Sequence, residues 1–172
     1  QHNFDNQWKK VYQFELNGEV KSAQKEVQSI YKKAKRQESE VQLVKCFFYL
    51  SKFKQVLNEN AQLTIIKDIE REINAAKPVS KALLRYIYIE MLVEYQSNYR
   101  KNVNQRTPIK DQKNHNFLTW TALDFYNEID SNYTKLLESE SDLRAVSVAS
   151  FKEIFEISSN VDAKNLSIYD FL

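Results

Sequence analysis

Apolar residues recur along this chain at three- and four-residue intervals, the spacing of one face of an α-helix. Phe4, Trp8, Val11 and Tyr12 form the first such stripe, with Asp5 placed to cap it and Asn17–Gly18 placed to end it. Val20, Ala23, Val27, Ile30, Tyr31 and Ala34 form a second, backed by Lys and Glu on the outer side. The two predict an antiparallel helical hairpin. Ser39 opens a third helix carrying Val41, Val44, Phe47, Phe48 and Leu50, and Asn58 to Asn60 interrupts the pattern. Leu63, Ile66, Ile69, Ile73 and Ala76 give a fourth stripe that stops before Pro78, as the sterics of a pre-proline residue require.

From Pro78 to Tyr99 the pattern changes. Leu83, Leu84, Tyr86, Ile87, Tyr88, Ile89, Met91, Leu92, Val93 and Tyr95 leave almost no polar side. A helix apolar nearly all round is covered by other helices, so this stretch predicts the centre of the core. Arg85, Glu90 and Glu94 interrupt it and keep it below the ~20 apolar residues of a membrane span. Beyond it, Lys101 to Asn116 reads as one long connection. Thr119 then caps a sixth helix with the stripe Trp120, Leu123, Tyr126, Ile129, Tyr133, Leu136 and Leu137. After Glu138 the pattern shortens into brief turns carrying Leu143, Val146, Val148, Phe151, Ile154, Phe155 and Ile157 over one end of the stack.

Helix starts near Asp5, Ser39 and Pro78 recur at intervals typical of solenoids built from helix pairs. The fold class expected is therefore all-α, a single domain over 1–172 of stacked antiparallel helical hairpins forming a TPR-like alpha-alpha superhelix. An irregular helical bundle is the alternative. The tetratricopeptide signature itself is not met, because no Leu-Gly follows Trp8 at the required offset.

Composition agrees with helices joined by short polar links. Ten Phe and ten Tyr supply a core, whereas one Gly and two Pro are too few for the turns of a β-sandwich or a dinucleotide-binding fold. The 25 basic and 23 acidic residues leave a net charge of +2, too balanced for a nucleic-acid footprint. Cys46, alone in the chain, can form neither an internal disulfide nor a cysteine metal site, and its neighbours in VKCFFYL place it as a buried, inert thiol.

No constellation for catalysis stands out. Glu90 and Glu94 lie one turn apart, but di-metal bundles need Glu-x-x-His pairs, and His2 and His115 follow no such Glu. The two carboxylates are expected to pair with cations of a neighbouring helix. Neither histidine is placed for a hydrolytic triad, and one glycine cannot build a phosphate loop. The chain is read as a non-enzyme with no cofactor. The sequons Asn132-Tyr133-Thr134 and Asn165-Leu166-Ser167 are too short a pattern to carry weight. The connection at 101–116 holds Lys101, Arg106, Lys110 and Lys113 against Asp111, which makes Arg106, Lys110 and Lys113 candidate contacts for an acidic partner. A plain solvated connector is the alternative, since exposed lysines contribute little each. Exposed Tyr and Phe are candidates to line a concave peptide groove.

Several packing motifs give the chain a family resemblance. Phe4-Asp5 with Trp8-Lys9 and Val11, Gly18 with Lys21-Ser22-Ala23, Ile30-Tyr31, Lys33-Ala34-Lys35, Ala76-Lys77-Pro78-Val79, Thr119-Trp120, Phe151-Lys152-Glu153-Ile154 and the closing Ile168-Tyr169-Asp170-Phe171-Leu172 carry it. Over its whole length the chain resembles the N-terminal helical region of bacterial alpha-2-macroglobulin-family proteins. The bait segment and the Cys-Gly-Glu-Gln thioester of that family are not in this stretch, since Cys46 is followed by Phe47-Phe48-Tyr49. The resemblance implies a non-catalytic spacer or docking module, exported to the periplasm or cell surface. Its implied partners are the rest of its own chain, proteases or envelope proteins, with no nucleic acid and no membrane span in this segment. The alternative is a stand-alone TPR-like peptide-binding scaffold. Ser167 caps a stripe of Ile168, Phe171 and Leu172 that stops after one turn, so Leu172 reads as a cut within a helix of a longer protein.

Overall fold

The computed structural model describes residues 3–53, 58–109, 116–154 and 166–172, and every named element among them is helical. In chain order these are α1 (Asp5–Leu16), α2 (Val20–Arg36), α3 (Glu40–Lys52), α4 (Glu59–Ala75), α5 (Pro78–Asn98), α6 (Arg100–Asn104), α7 (Ala122–Leu137), α8 (Glu140–Arg144) and α9 (Ile168–Phe171). Short 3-10 turns at Phe117–Thr119 and Val148–Phe151 join the later ones. Val146 to Val148 lies beside Leu166 to Ile168, with the Val148 amide donating to the Leu166 carbonyl and the Ile168 amide to that of Val146.

Tight turns make sequential helices antiparallel neighbours. Between α1 and α2 the Glu19 amide donates to the Phe14 carbonyl and the Gly18 amide to that of Glu15, a Schellman closure. Gly18 takes φ 72°, the left-handed setting such a closure demands. The α2–α3 turn repeats the pattern, Ser39 to Ala34 and Glu38 to Lys35, but places Glu38 at φ 52°, where a Cβ costs about 1–2 kcal/mol. Pro78 stands at the first turn of α5, where its missing N–H breaks no bond.

The stripes of the first four helices land largely where their periodicity places them. Phe4, Trp8, Val11, Ala23, Val27, Ile30 and Ala34 are buried, as are Ile66, Ile69 and Ile73, whereas Tyr12 is exposed, Leu63 and Ala76 are half-buried, and Ile65, outside the expected stripe, is buried. Helix α5 packs against α3, α4, α7 and α8 and is the hub of the core. Leu84, Ile89 and Leu92 are fully enclosed, and only Glu90 and Val93 among its middle residues face solvent. Two polar ties cross the layers. The Trp8 indole donates to Gln42 Oε1 at 2.6 Å, and Gln42 donates on to Glu153 at 2.5 Å. Buried Glu72 of α4 accepts from the Tyr31 hydroxyl at 2.6 Å and pairs with Lys35, binding α2 to α4.

Several local expectations shift. Phe4, not Asp5, is the cap residue of α1, and Asp5 sits in the first turn, where a carboxylate suits the helix dipole. Ser39 occupies the cap position of α3 without a capping hydrogen bond, whereas Asn58 caps α4 by accepting from the Ala61 amide at 2.9 Å. The stretch 101–116 is not one irregular connection, because α6 fills its start and anchors it by fully buried Val103. The cap of α7 is Thr121, not Thr119. Thr121 and Asp124 form a reciprocal capping box, while Asn116 to Thr119 winds into the 3-10 turn first. Phe155 and Ile157 lie outside the described residues.

Cys46 is fully buried in α3, and burial pushes its thiol pKa up. Thiol titration of the folded protein is expected to show almost no reaction until denaturant is added. Rapid labelling in native buffer would put the Cys46 side of α3 outside.

Candidate functional site

No group of three or more His, Cys, Asp or Glu side chains able to hold a metal converges among the described residues. Glu90 is exposed and Glu94 half-exposed, so the two do not form a buried carboxylate pair. His2 and His115 lie outside the described residues. Among the described residues, two surfaces and a polar cleft are candidate features.

The cleft lies between α4, α5 and α7, with Tyr88 at its floor. The Tyr88 hydroxyl is 3.1 Å from Glu70 Oε1 and 3.0 Å from Glu128 Oε1. It carries one proton and so donates to one carboxylate at a time. Asn132, also buried, steadies Glu128 by donating to its Oε1 at 2.8 Å. Arg85, Lys67, Arg71 and Lys135 stand around the opening. Burial first, then the charges of Glu128 and Glu70, push the Tyr88 hydroxyl pKa well above its ordinary value. Such a tyrosine stabilises the fold fully below pH ~10, the value of the unfolded chain. Above that, the unfolded chain sheds the proton and the folded one keeps it, so stability is lost as pH rises. Alkaline titration of unfolding should therefore steepen above pH ~10, with Tyr88 adding about 1.4 kcal/mol per pH unit beside Tyr31, Tyr86 and Tyr95, whose pKa values burial also raises, and Tyr88→Phe should lower the slope by that share. An unchanged slope in the variant would show that Tyr88 titrates freely.

A second surface is aromatic and runs across the odd-numbered helices. Tyr12 of α1, Tyr49 of α3 and Tyr86 of α5 line one groove with Phe48. The Tyr12 and Tyr49 rings are 6.0 Å apart, and Trp8 packs behind them 4.9 Å from Tyr49. Lys45 and Lys52 lay their ammonium groups over this cluster, 4.3 Å from the Trp8 ring and 4.6 Å from the Tyr49 ring. The Tyr86 pKa is raised by burial first and then by the nearness of Glu90 and of Tyr133 on α7. One tyrosine from each of α1, α3, α5 and α7 thus reaches the same side of the stack.

That row ends on the face of α7 where the sequence reading departs most from the structure. Phe125 and Asn132 face the core, with Ile129 and Leu136 half-buried beside them. Leu123, Tyr126, Tyr133 and Leu137, assigned from periodicity to the buried stripe, are instead 65, 63, 41 and 64% exposed. Phe125 decides the rotation. It packs 5.7 Å from Tyr95, 6.4 Å from Phe117 and 5.3 Å from Trp120, an aromatic cluster that only one side of α7 can enter. Apolar residues lie on both sides of α7, so periodicity alone could not rank them.

The basic connection sorts differently. Arg106 points inward, its guanidinium donating to the Trp120 carbonyl at 2.9 Å, the Phe117 carbonyl at 3.2 Å and the Tyr95 hydroxyl at 3.1 Å. Its donors hold the entry to α7, which gives it a structural role. Lys110 and Lys113 lie outside the described residues. No helix among the described residues is long and apolar enough to cross a membrane. The chain matches no protein-family model, no curated protein and no solved structure.

Proposed function

We propose that this chain is a non-catalytic helical docking module in which the hairpins hold the outer face of α7 rigid for another helix. The observation that carries this reading is the exposed stripe of Leu123, Tyr126, Tyr133 and Leu137. Four large apolar side chains in line on one helix are an unusual exposure for a folded surface, and such patches mark interaction sites. Helical packing of this kind needs no catalytic group. The resemblance to the N-terminal region of alpha-2-macroglobulin-family proteins supplies the setting proposed: a spacer or docking segment of a large exported envelope protein, built as a TPR-like superhelix. A stand-alone peptide-binding scaffold is the second reading, favoured by the groove of Tyr12, Phe48, Tyr49 and Tyr86.

Two experiments test this. A reading frame that runs on past Leu172 into macroglobulin-like domains, behind a signal peptide, supports the envelope setting, and a stop codon at that point overturns it. Tyrosine iodination tests docking itself. In the full natural protein with its partners, Tyr126 and Tyr133 should be protected relative to the 172-residue chain. Equal labelling would overturn the docking reading.

The stripe should also be dispensable for folding. Replacing Leu123 and Leu137 together by Ser is expected to change stability by no more than ~0.5 kcal/mol in urea unfolding, as for exposed surface sites generally. A loss above ~2 kcal/mol would mean that the chain itself covers the stripe.

A further inference from the structure

The stripe on α7 has a charge at its middle. Leu123, Tyr126, Asp130, Tyr133 and Leu137 follow one another at intervals of three, four, three and four, the seam spacing of paired helices. Asp130 is exposed, and no side chain among the described residues pairs with it. Tyr126 lies one turn before it and Tyr133 one turn after, so both rings neighbour its carboxylate on the helix surface. The other acids nearby are engaged elsewhere, Glu128 in the Tyr88 cleft, Asp124 in the Thr121 capping box and Glu140 on Arg144. The face is therefore apolar with one carboxylate, Asp130, at its middle.

We propose, resting on the docking reading above, that α7 receives an amphipathic helix whose apolar seam carries an arginine at its middle turn. The guanidinium would pair with the Asp130 carboxylate and lie against the faces of Tyr126 and Tyr133, while apolar residues one to two turns away cover Leu123 and Leu137. Arginine fits better than lysine because its planar fork pairs with carboxylate oxygens and stacks on aromatic rings at once. The protein already uses this device. The Arg144 guanidinium lies 3.9 Å from the Tyr169 ring while pairing with Asp170 at 3.2 Å and Glu140 at 2.7 Å.

Two other occupants fit less well. The stripe reads Leu-Tyr-Asp-Tyr-Leu in both directions, so a second copy packed antiparallel would set Asp130 against Asp130. Like charges so juxtaposed are unfavourable. An anionic bilayer would meet the Asp130 carboxylate at the middle of the stripe, with no arginine or lysine in the stripe to draw it in.

The test uses a fluorescein-labelled, helix-stapled synthetic peptide of about 20 residues, enough to span the stripe at 1.5 Å per residue. It carries Leu at the outer seam positions and Arg at the centre, and a twin carries Glu in place of Arg. Fluorescence anisotropy should show saturable binding of the Arg peptide, at least about ten-fold tighter than the twin, and weakening as salt is raised. Asp130→Arg in the protein should reverse the preference, and Leu123→Ser with Leu137→Ser should abolish binding of both peptides. Equal affinity for the two peptides overturns the arginine assignment while leaving docking intact. Failure of both to bind, with Tyr126 and Tyr133 still protected in the natural protein, overturns the helix class of partner and again spares docking. Sedimentation that shows a dimer lost in Leu137→Ser assigns the face to a second copy, and flotation with phosphatidylglycerol vesicles assigns it to a membrane. Either result overturns the proposal.

Discussion

Leu84→Ala is expected to destabilise the protein by about 2–5 kcal/mol, the range measured when a filled core site is emptied. Leu84 is fully buried on α5, the helix against which α3, α4, α7 and α8 all pack. Truncation removes the transfer free energy of the lost methyl and methylene groups. It also leaves a cavity that several rigid helices would have to collapse together to fill. Against a total of roughly 5–15 kcal/mol for a domain, this is a large fraction. Thermal unfolding should show it as a fall on the order of 5–15 °C. Val93→Ala on the same helix serves as the control. Val93 is 40% exposed and Ala is the better helix former, so its effect should stay within ~0.5 kcal/mol. A change that small at Leu84 would show that α5 is not the hub.

Arg106→Ala should cost the next largest amount, about 2–3 kcal/mol, given that hydrogen bonds from charged donors contribute roughly 1.5–3 kcal/mol each before solvent exposure reduces them. Its guanidinium satisfies two carbonyls at the 3-10 turn before α7 and a hydroxyl on α5, and its plane stands 5.9 Å from the Tyr95 ring. Removing it takes the guanidinium donor from the Trp120 carbonyl and leaves the Phe117 carbonyl with the Trp120 amide alone, where α7 joins the stack. Arg106→Lys should recover less than half of the loss. One compact ammonium cannot span acceptors that a five-donor fork reaches from two sides. Urea unfolding of the three proteins checks this. If Arg106→Ala unfolds like the parent, the residue is a free surface cation and the contact assignment of the basic connection returns.

The contrast between Arg106 and Leu123 shows where local reading reaches its limit. Both were placed by their sequence neighbourhood, Arg106 in a polar connection and Leu123 on an apolar stripe, and each lies on the opposite side of the fold boundary. Arg106 turns inward because the Trp120 carbonyl, the Phe117 carbonyl and the Tyr95 hydroxyl converge there as acceptors. Leu123 turns outward because Phe125, two residues on, takes the core side, and a helix cannot bury faces roughly opposite each other against one neighbour.

By itself the sequence determined the helical class, the burial of the α2 and α5 faces, the left-handed turn at Gly18 and the start of α5 at Pro78. Each follows from periodicity or from backbone sterics that act within one or two turns of chain. Only the tertiary structure decided the rotation of α7, the inward reach of Arg106 and the meeting of Glu70 and Glu128 on the Tyr88 hydroxyl. The last two depend on groups 11 to 40 residues apart, and the first on Phe125 meeting Tyr95 of α5. Their energies come from desolvation and pairing across helices, which no local pattern encodes. Asp130 stands between the two: its place in the seam is written in the sequence, but its exposure came from the side of α7 that Phe125 claimed.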